Sequence, residues 1–269
     1  MRSTAVLLAF VFALPAVAAD KVAGHAASRV REKIDRGVVA IRTSPSTIYV
    51  GWRLLENDPA DAAFDLYRRV GTAQPERINE QPVRGTTDFV DAMAAAGHCV
   101  AYAIRPAGSG HDGPASPEVQ AVISPGRAAF LKIPLESKTA TVQKVGFGDL
   151  DGDGRYDFVL KTPKDNIDPY EKYWTRSPDT YKLEAYRHDG KLLWHYDLGW
   201  AIERGIWYSP YLVYDFDGDG RAEVAVKTGE GDPRGPDGRV QTGPEYLTIL
   251  DGQTGKPVTR VDWPSREAF

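Results

Sequence analysis

Residues 149–162, DLDGDGRYDFVLKT, place four acidic side chains within nine positions and continue directly into an alternating apolar run. Nearly the same pattern returns 66 residues later, at 215–228, as DFDGDGRAEVAVKT. In both copies the residues after the acidic cluster alternate between apolar and polar with the period of two that is typical of a strand. The two stretches therefore predict a repeated unit in which an acidic loop leads into a β-strand.

The acidic positions of each loop predict a site for a calcium ion. Carboxylates stand at positions 1, 3, 5 and 9, a glycine at position 6 permits a sharp turn, and the residue at position 7 would contribute its backbone carbonyl. Convergence of so many anions without a cation would be strongly unfavourable, and ligands made of oxygen alone favour Ca²⁺. The predicted ligands are Asp149, Asp151, Asp153, Arg155 and Asp157 in the first loop and Asp215, Asp217, Asp219, Arg221 and Glu223 in the second.

Neither loop has the ending of an EF-hand. Position 12, where a bidentate Glu belongs, holds Leu160 in one copy and Val226 in the other. The flanking residues alternate as strands and do not follow a helical period. We therefore expect a calcium loop built into a β-sheet, and its recurrence in register with the repeat favours a structural role. A solvated acidic turn is the alternative, but it would not explain the same spacing twice.

Each acidic loop and strand is followed by a second matching feature. Residues 183–193 (LEAYRHDGKLL) and 247–258 (LTILDGQTGKPV) each predict two strands joined by a tight turn. Repeated all-β units of this size are typical of propeller blades, and a closed ring needs about four to eight of them. Residues 126–269 are therefore interpreted as the first blades of an incomplete, calcium-binding β-propeller in a truncated gene product. A smaller β fold that is complete as given is the alternative.

Short strand patterns fill the chain before the repeat. Runs of β-branched and aromatic residues at turn-marked intervals predict an antiparallel β-sandwich at 28–125. Trp52, Tyr67 and Tyr102 are its expected core aromatics. Cys99, the only cysteine, is expected to be buried as a small apolar residue. The fold class predicted for the whole chain is thus all-β.

The first residues predict export. A positive start, an apolar stretch at 5–17 and small residues at 16–19 predict a secretory signal peptide at 1–19. No later segment is long and apolar enough to predict a membrane span. A net charge of -4 and the lack of a basic block argue against a nucleic-acid partner. We therefore expect a monomeric, secreted protein, extracellular or periplasmic after cleavage of the signal.

Four stretches of the sequence together resemble one known family. FGDLDGDGRYDFVLKT, KDN at 164–166, LEAYRHDGKLLWHYDLG and YLVYDFDGDGRAEVAVKT are similar to the rhamnogalacturonan lyases of polysaccharide lyase family eleven. The resemblance extends to the sandwich and covers nearly the whole chain after the signal peptide. It implies a fibronectin type III-like sandwich, a propeller with bound calcium, and cleavage of the rhamnose–galacturonate backbone of pectin, rhamnogalacturonan I, by β-elimination.

The implied reaction needs a cation beside the substrate carboxylate. Removal of the C5 proton of a galacturonate is feasible only when Ca²⁺, Arg or Lys neutralises that carboxylate, after which a base takes the proton and the 4-O-glycosidic bond breaks. The resemblance implies that Asn166 and Glu184 bind sugar, although a plain turn role explains Asn166 equally well. Lys161 and Lys227 end equivalent strands, where they would meet a uronate carboxylate or form ordinary ion pairs. The sequence indicates no catalytic base.

Two other functions remain open on the sequence. A non-catalytic, calcium-stabilised propeller for carbohydrate binding or adhesion would share the fold. A hydrolase that uses two carboxylates would need acids that are not committed to calcium. The excursion at 168–182, rich in Tyr and Trp, is either a sugar-stacking surface or loop packing.

Overall fold

The computed structural model describes residues 32–94, 96–107, 115–123, 130, 132–136, 141–165, 167, 170–205 and 208–265. The predicted signal peptide and Asn166 lie outside these described residues. Within them the regular structure consists of β-strands and one short 3₁₀ turn, Glu171–Tyr173, which confirms the predicted all-β class. The described part of the chain contains no helix long and apolar enough to cross a membrane.

The first nine strands form two sheets. In chain order, β1 to β9 are Val39–Arg42, Ile48–Gly51, Ala63–Val70, Glu76–Arg77, Val83–Arg84, Asp88–Asp91, Val100–Ala107, Val119–Gln120 and Val122–Ile123. One sheet has the order β6-β2-β1-β9 and the other β4-β3-β7-β8, with β5 also paired to β3. Only Ala121 separates β8 from β9, so the chain passes from one sheet to the other at this residue.

The two sheets share one hydrophobic core. Ile48 and Val50 come from one sheet, and Phe64 and Leu66 from the other. These side chains are two residues apart in their strands, as the period-two pattern predicts for residues that face the same side. Trp52 packs edge-on against Phe64, with 5.5 Å between the ring centres. The core therefore lies between the sheets.

Two of the residues predicted for this core are not in it. Trp52 and Tyr102 are buried as predicted. Tyr67 is only partly buried, because the buried residues of β3 alternate with it and face the other side. Cys99 is exposed, since β7 begins at Val100 and leaves Cys99 in the preceding turn. The predictions for Tyr67 and Cys99 were therefore wrong.

The sequence repeat folds as two four-stranded antiparallel sheets, which we call repeat sheets 1 and 2. Strands follow chain order in both, as β10-β11-β12-β13 and β14-β15-β16-β17. In repeat sheet 1 they are Lys144–Gly148, Asp157–Thr162, Lys182–Tyr186 and Leu192–Asp197, and in repeat sheet 2 Tyr211–Tyr214, Glu223–Gly229, Glu245–Leu250 and Pro257–Asp262. Equivalent register pairs join Leu160 to Glu184 and Val226 to Thr248. Each acidic loop connects the first two strands of its sheet.

The two repeat sheets pack on each other through a common core. Trp194 of β13 donates its indole N–H to the carbonyl oxygen of Gly252 at 2.6 Å. Strand β10 comes close to β14 because Gly148 has no side chain, and a Cβ there would lie 2.6 Å from Val213. The buried apolar residues of this core include Leu150, Val159, Leu183, Trp194, Tyr211, Val224, Val226 and Leu250. Contact between neighbouring repeats therefore buries apolar surface that one sheet alone would expose.

Candidate functional site

In the first acidic loop, between β10 and β11, the backbone wraps around the carboxylate of Asp149. Its oxygens accept hydrogen bonds from the N–H groups of Gly152 and Gly154, both at 2.7 Å. These glycines have φ values of 81° and 86°, a region that other residues rarely adopt. The glycine spacing thus produces the turn that places Asp149 at the centre of the loop. In the second loop Asp215 is held in the same way by Gly218 and Gly220.

Three acidic side chains converge in each loop. Each contributes one oxygen that lies within 4.8 Å of the other two. The groups are Asp149, Asp151 and Asp157 in the first loop and Asp215, Asp217 and Glu223 in the second. They occupy positions 1, 3 and 9 of the predicted calcium loops. Carboxylate oxygens gathered this closely could hold a metal ion, since a hard divalent cation takes six to eight such ligands.

The carboxylates at position 5 have other partners. Asp153 accepts the N–H of Arg155 at 2.9 Å and lies 3.5 Å from Nδ1 of His188. Asp219 pairs with the guanidinium of Arg221 at 2.8 Å, and this hydrogen bond holds the pKa of Asp219 below its usual range. Neither Asp153 nor Asp219 is among the three converging side chains of its loop. Their ligand role, like the carbonyl role of Arg155 and Arg221, stays a prediction.

Burial gives the innermost acids an unusual affinity for protons. Asp157 is fully buried and accepts the N–H groups of Leu150 at 3.0 Å and His188 at 2.8 Å. Burial raises the pKa of Asp157 to about 6, and it also raises the pKa of Asp149 and of Glu223. A cation in the loop favours the charged form of each carboxylate and so opposes this effect.

We expect the first loop to lose affinity for Ca²⁺ in mild acid. A proton and a cation compete for Asp157, so each pH unit below about 6 should weaken binding roughly tenfold. Calorimetric titration of calcium into the metal-free protein at about pH 7 and about pH 5 measures this. Asp157→Asn, which cannot titrate, should bind more weakly with a flatter pH dependence. Equal wild-type affinities at the two pH values would contradict the prediction.

The segment before β1 lies across both acidic loops. The N–H of Asp35 donates to the carbonyl oxygen of Gly154 at 2.9 Å, and Nζ of Lys33 donates to that of Gly218 at 3.0 Å. Burial and the nearby loop carboxylates raise the pKa of Glu32. The part of the chain that leads into the first two sheets is therefore in direct contact with both candidate metal sites. Local sequence patterns did not predict this contact, because the partners are far apart in the chain.

Glu184, a predicted sugar-binding residue, stands in the middle of β12. Its carboxylate accepts the hydroxyl of Tyr186 at 2.8 Å and lies 3.4 Å from Oγ1 of Thr162. The equivalent residue of repeat sheet 2 is Thr248, whose hydroxyl is 2.6 Å from that of Thr228. The negative charge at Glu184 is thus specific to repeat sheet 1. Its role in sugar binding stays a prediction.

The segment that follows β11 is anchored by buried groups. Arg204, 2% exposed, forms an ion pair with Asp165. The hydroxyl of Tyr181, also buried, donates to the carbonyl oxygen of Asp165. Asn166 is the next residue, and its predicted sugar contact falls outside the described residues. Sequence reasoning missed Arg204, because no pattern marked it as the buried partner of this segment.

The two strand-end lysines are both engaged inside the protein. Lys161 is 1% exposed, and its ammonium donates to the hydroxyl and the carbonyl oxygen of Ser209 at 2.8 and 3.0 Å. Lys227 forms an ion pair with Glu245 at 2.9 Å. Lys227 therefore fits the ion-pair interpretation, whereas Lys161 is enclosed beneath the chain that enters repeat sheet 2.

We expect stability to depend on pH through Lys161. Burial, with the charge of Lys144 nearby, lowers the pKa of Lys161 to about 8. The unfolded value is about 10.4, so the folded protein binds fewer protons between these values and the free energy of unfolding should rise as the pH rises through about 8. Urea denaturation across this range should show the rise in the wild type and not in Lys161→Met, which removes the charge. The same pH dependence of the free energy of unfolding in the wild type and in Lys161→Met would contradict the prediction.

The aromatic residues of the Tyr- and Trp-rich segment 168–182 differ in their surroundings. Trp174 donates its indole N–H to the carbonyl oxygen of Asp237 at 3.1 Å, and the guanidinium of Arg239 lies 4.6 Å from its ring centre. Trp174 thus packs between the two repeats. Tyr170 and Tyr173 are exposed, with 5.9 Å between their ring centres, and they retain the sugar-stacking interpretation.

Comparison with known protein families matches both parts of the chain. Residues 135–268 match the family described as "Rhamnogalacturonan lyase family 11, C-terminal domain". Residues 29–122 match "Rhamnogalacturonan I lyases beta-sheet domain". The first match covers the two repeat sheets, and the second covers the two sheets of the amino-terminal part.

Two similar curated proteins come from Bacillus subtilis (strain 168). The chain is 35% identical to rhamnogalacturonan endolyase YesW, over 91% of this chain and 41% of that protein. It is 31% identical to rhamnogalacturonan exolyase YesX, over 87% of this chain and 40% of that protein. The chain therefore spans less than half the length of these relatives.

Solved structures agree with the sequence comparisons. The Bacillus licheniformis rhamnogalacturonan lyase PL11 superposes with a TM-score of 0.71 at 30% identity, over 88% of this chain and 43% of that one. The crystal structure of rhamnogalacturonan lyase YesW gives a TM-score of 0.71 at 33% identity, over 89% of this chain and 43% of that one. The described fold is thus shared with structures of two such lyases.

Proposed function

This chain belongs to rhamnogalacturonan lyase family 11. We propose that it forms part of a secreted, calcium-dependent enzyme that cleaves the rhamnose–galacturonate backbone of pectin. Two observations together support the proposal: both parts of the chain match lyase families, and each acidic loop of the repeat gathers three carboxylates that could hold a metal ion. The reaction would be a β-elimination. A base removes the C5 proton of galacturonate, its electrons form the C4–C5 double bond, and the glycosidic oxygen leaves C4 with a proton.

We propose that each repeat sheet is one blade of a β-propeller and that the first two sheets form a fibronectin type III-like sandwich. Four-stranded antiparallel sheets in chain order, packed on each other through a common core, support the blade assignment. Two sheets around one core support the sandwich.

Calcium in the two loops would supply positive charge that neutralises the converging carboxylates, and we assign it a structural role. Each acidic loop lies at one end of the second strand of its sheet, and the excursion that follows that strand lies at the other. Strand β11 has six residues, so about 20 Å separates its acidic loop from the segment that follows Thr162, the last residue of the strand. A cation in this loop is therefore too far from that segment to contact a sugar bound there.

The proposed sugar contacts come from two residues of repeat sheet 1. Asn166, which follows β11 in the chain, and Glu184, in the middle of β12, remain the candidates for binding sugar hydroxyls. Asp165, held by buried Arg204, fixes the backbone beside Asn166. The predicted signal peptide at 1–19 supports secretion, and we propose a monomer that acts on an extracellular polysaccharide.

Mass spectrometry of the products tests the reaction type. β-Elimination yields an unsaturated uronate at the new non-reducing end, one water lighter than the corresponding product of hydrolysis. Rhamnogalacturonan I is the substrate, and unbranched polygalacturonan is the control for backbone specificity. Unsaturated fragments from rhamnogalacturonan alone support the proposal, whereas saturated fragments would show a hydrolase and overturn it.

A further inference from the structure

Residues 32–37, just before β1, connect the first two sheets to both acidic loops, and we call them the docking segment. Its later part is held by the first two sheets, because the guanidinium of Arg36 donates to Asp58 at 2.6 Å and the carbonyl oxygen of Arg36 accepts the N–H of Arg53 at 2.9 Å. Its earlier part lies on the repeat, with one hydrogen bond to each acidic loop. This short stretch of chain therefore spans the junction between the two parts of the molecule.

A second contact from the first two sheets reaches the first acidic loop. The guanidinium of Arg53, two residues after β2, lies 4.3 Å from the ring centre of Tyr156, a distance typical of a cation–π contact. Tyr156 stands directly before Asp157, one of the converging carboxylates. Arg53 also lies 3.9 Å from the carboxylate of Asp35 in the docking segment. The placement of the first two sheets thus depends on the conformation of the loop that gathers these carboxylates.

Glu32, at the start of the docking segment, brings a further carboxylate to the acidic loops. It accepts the backbone N–H of Asp215, and its Oε1 is buried without a hydrogen-bond partner among the described residues. Burial and the charges of Asp215 and Asp149 raise the pKa of Glu32, which means that they disfavour its charged form, while the charge of Arg53 acts in the opposite direction. A buried anion beside two others is costly unless additional positive charge offsets it.

We propose that the docking segment is a cation-dependent latch, in which metal ions in the acidic loops offset the repulsion between Glu32 and the loop aspartates and so hold the first two sheets on the repeat. Without the ions, this repulsion opens the contacts of Lys33 and Asp35 with the loops, while the hydrogen bonds inside each sheet remain. The coupling is reciprocal, so the docked segment must also favour cation binding. The latch rests on the proposed function for its cation sites and is independent of the lyase chemistry.

Amide hydrogen exchange of the purified protein in calcium and in EDTA tests the latch. The N–H of Asp35, which donates to the carbonyl oxygen of Gly154, should exchange on the order of tenfold faster in EDTA, relative to the N–H groups of β3 and β7. Glu32→Gln keeps the side-chain shape and removes the charge, so the segment should stay protected in EDTA. Glu80→Gln, an exposed glutamate between β4 and β5, should behave like the wild type. Equal exchange at Asp35 of the wild type in both conditions, or rapid exchange in EDTA in Glu32→Gln, would overturn the proposal.

Calcium affinity provides a second test, which does not require the metal-free protein to stay folded. In competition with a fluorescent chelator, starting from the calcium-loaded protein, Glu32→Gln should bind calcium several-fold more weakly than the wild type, because a nearby negative charge is lost. Glu80→Gln should match the wild type. Equal affinities of the wild type and Glu32→Gln would overturn the proposal. Failure of the latch with unsaturated products retained would overturn the latch alone, whereas a working latch without such products would support the latch and overturn the lyase assignment.

Discussion

Removal of calcium with EDTA should lower the free energy of unfolding by several kcal/mol. A ligand that binds only the folded state at 100 times its dissociation constant stabilises it by about 2.7 kcal/mol, so two such loops together would contribute about 5 kcal/mol. Each loop gathers three carboxylates whose repulsion the ion relieves, and the amino-terminal segment contacts both loops. Chelation should therefore loosen the repeat sheets and their contact with the sandwich together. Urea denaturation in calcium and in EDTA measures the difference.

A variant with both Asp149→Asn and Asp215→Asn is the matched test of this effect. Asparagine keeps one side-chain oxygen to accept the N–H groups of the loop but removes the charge that holds a cation. We expect the variant to unfold like the chelated wild type and to be insensitive to calcium. Asp232→Asn, an exposed aspartate outside the acidic loops, should respond to calcium like the wild type. A wild-type unfolding curve that EDTA does not shift would contradict a structural role for the loops.

Glu184→Gln should reduce kcat/KM on rhamnogalacturonan by roughly 10- to 100-fold, mainly through KM. A hydrogen bond to a charged group contributes about 1.5–3 kcal/mol, and a neutral amide cannot replace that strength. The change keeps the side-chain shape, so the buried hydroxyl of Tyr186 retains an acceptor. Steady-state kinetics on the purified protein measure the effect.

The equivalent position of repeat sheet 2 supplies the control for this prediction. Thr248→Val breaks the contact with Thr228 at the same place in the repeat, so it should cost stability without changing kcat/KM. Equal kinetics for Glu184→Gln and wild type, with native folding of both, would exclude Glu184 from the substrate site. A loss of activity in Thr248→Val as well would mean that strand packing and not sugar contact explains the effect.

The sequence predicted those features that depend on local spacing. Alternation with a period of two identified the strands, and the glycines of the acidic loops predicted the turns that hold Asp149 and Asp215. Both are local properties of the chain, since side-chain direction in a strand and the glycine conformation follow from a few neighbouring residues. The duplication of the pattern then predicted the duplication of whole sheets.

Features that depend on distant contacts were not predictable in this way. The partner of Lys161 is Ser209, and nothing in the sequence around either residue marks the pairing. Lys33 donates a hydrogen bond to Gly218, which is 185 residues away in the sequence. Tyr67 and Cys99 were misplaced because the choice of strand face and the exact start of a strand decide burial, and both depend on how the sheets pack.

Ultraviolet absorbance of the reaction products tests most directly whether this chain belongs to a calcium-dependent lyase. The C4–C5 double bond formed by β-elimination is conjugated with the uronate carboxylate and therefore absorbs ultraviolet light. The purified protein is incubated with rhamnogalacturonan in calcium and, in parallel, in EDTA. We predict that absorbance rises in calcium and that the rate falls in EDTA along with the folded fraction. No rise in either condition, with binding to the polysaccharide retained, would contradict the lyase assignment and indicate a carbohydrate-binding protein.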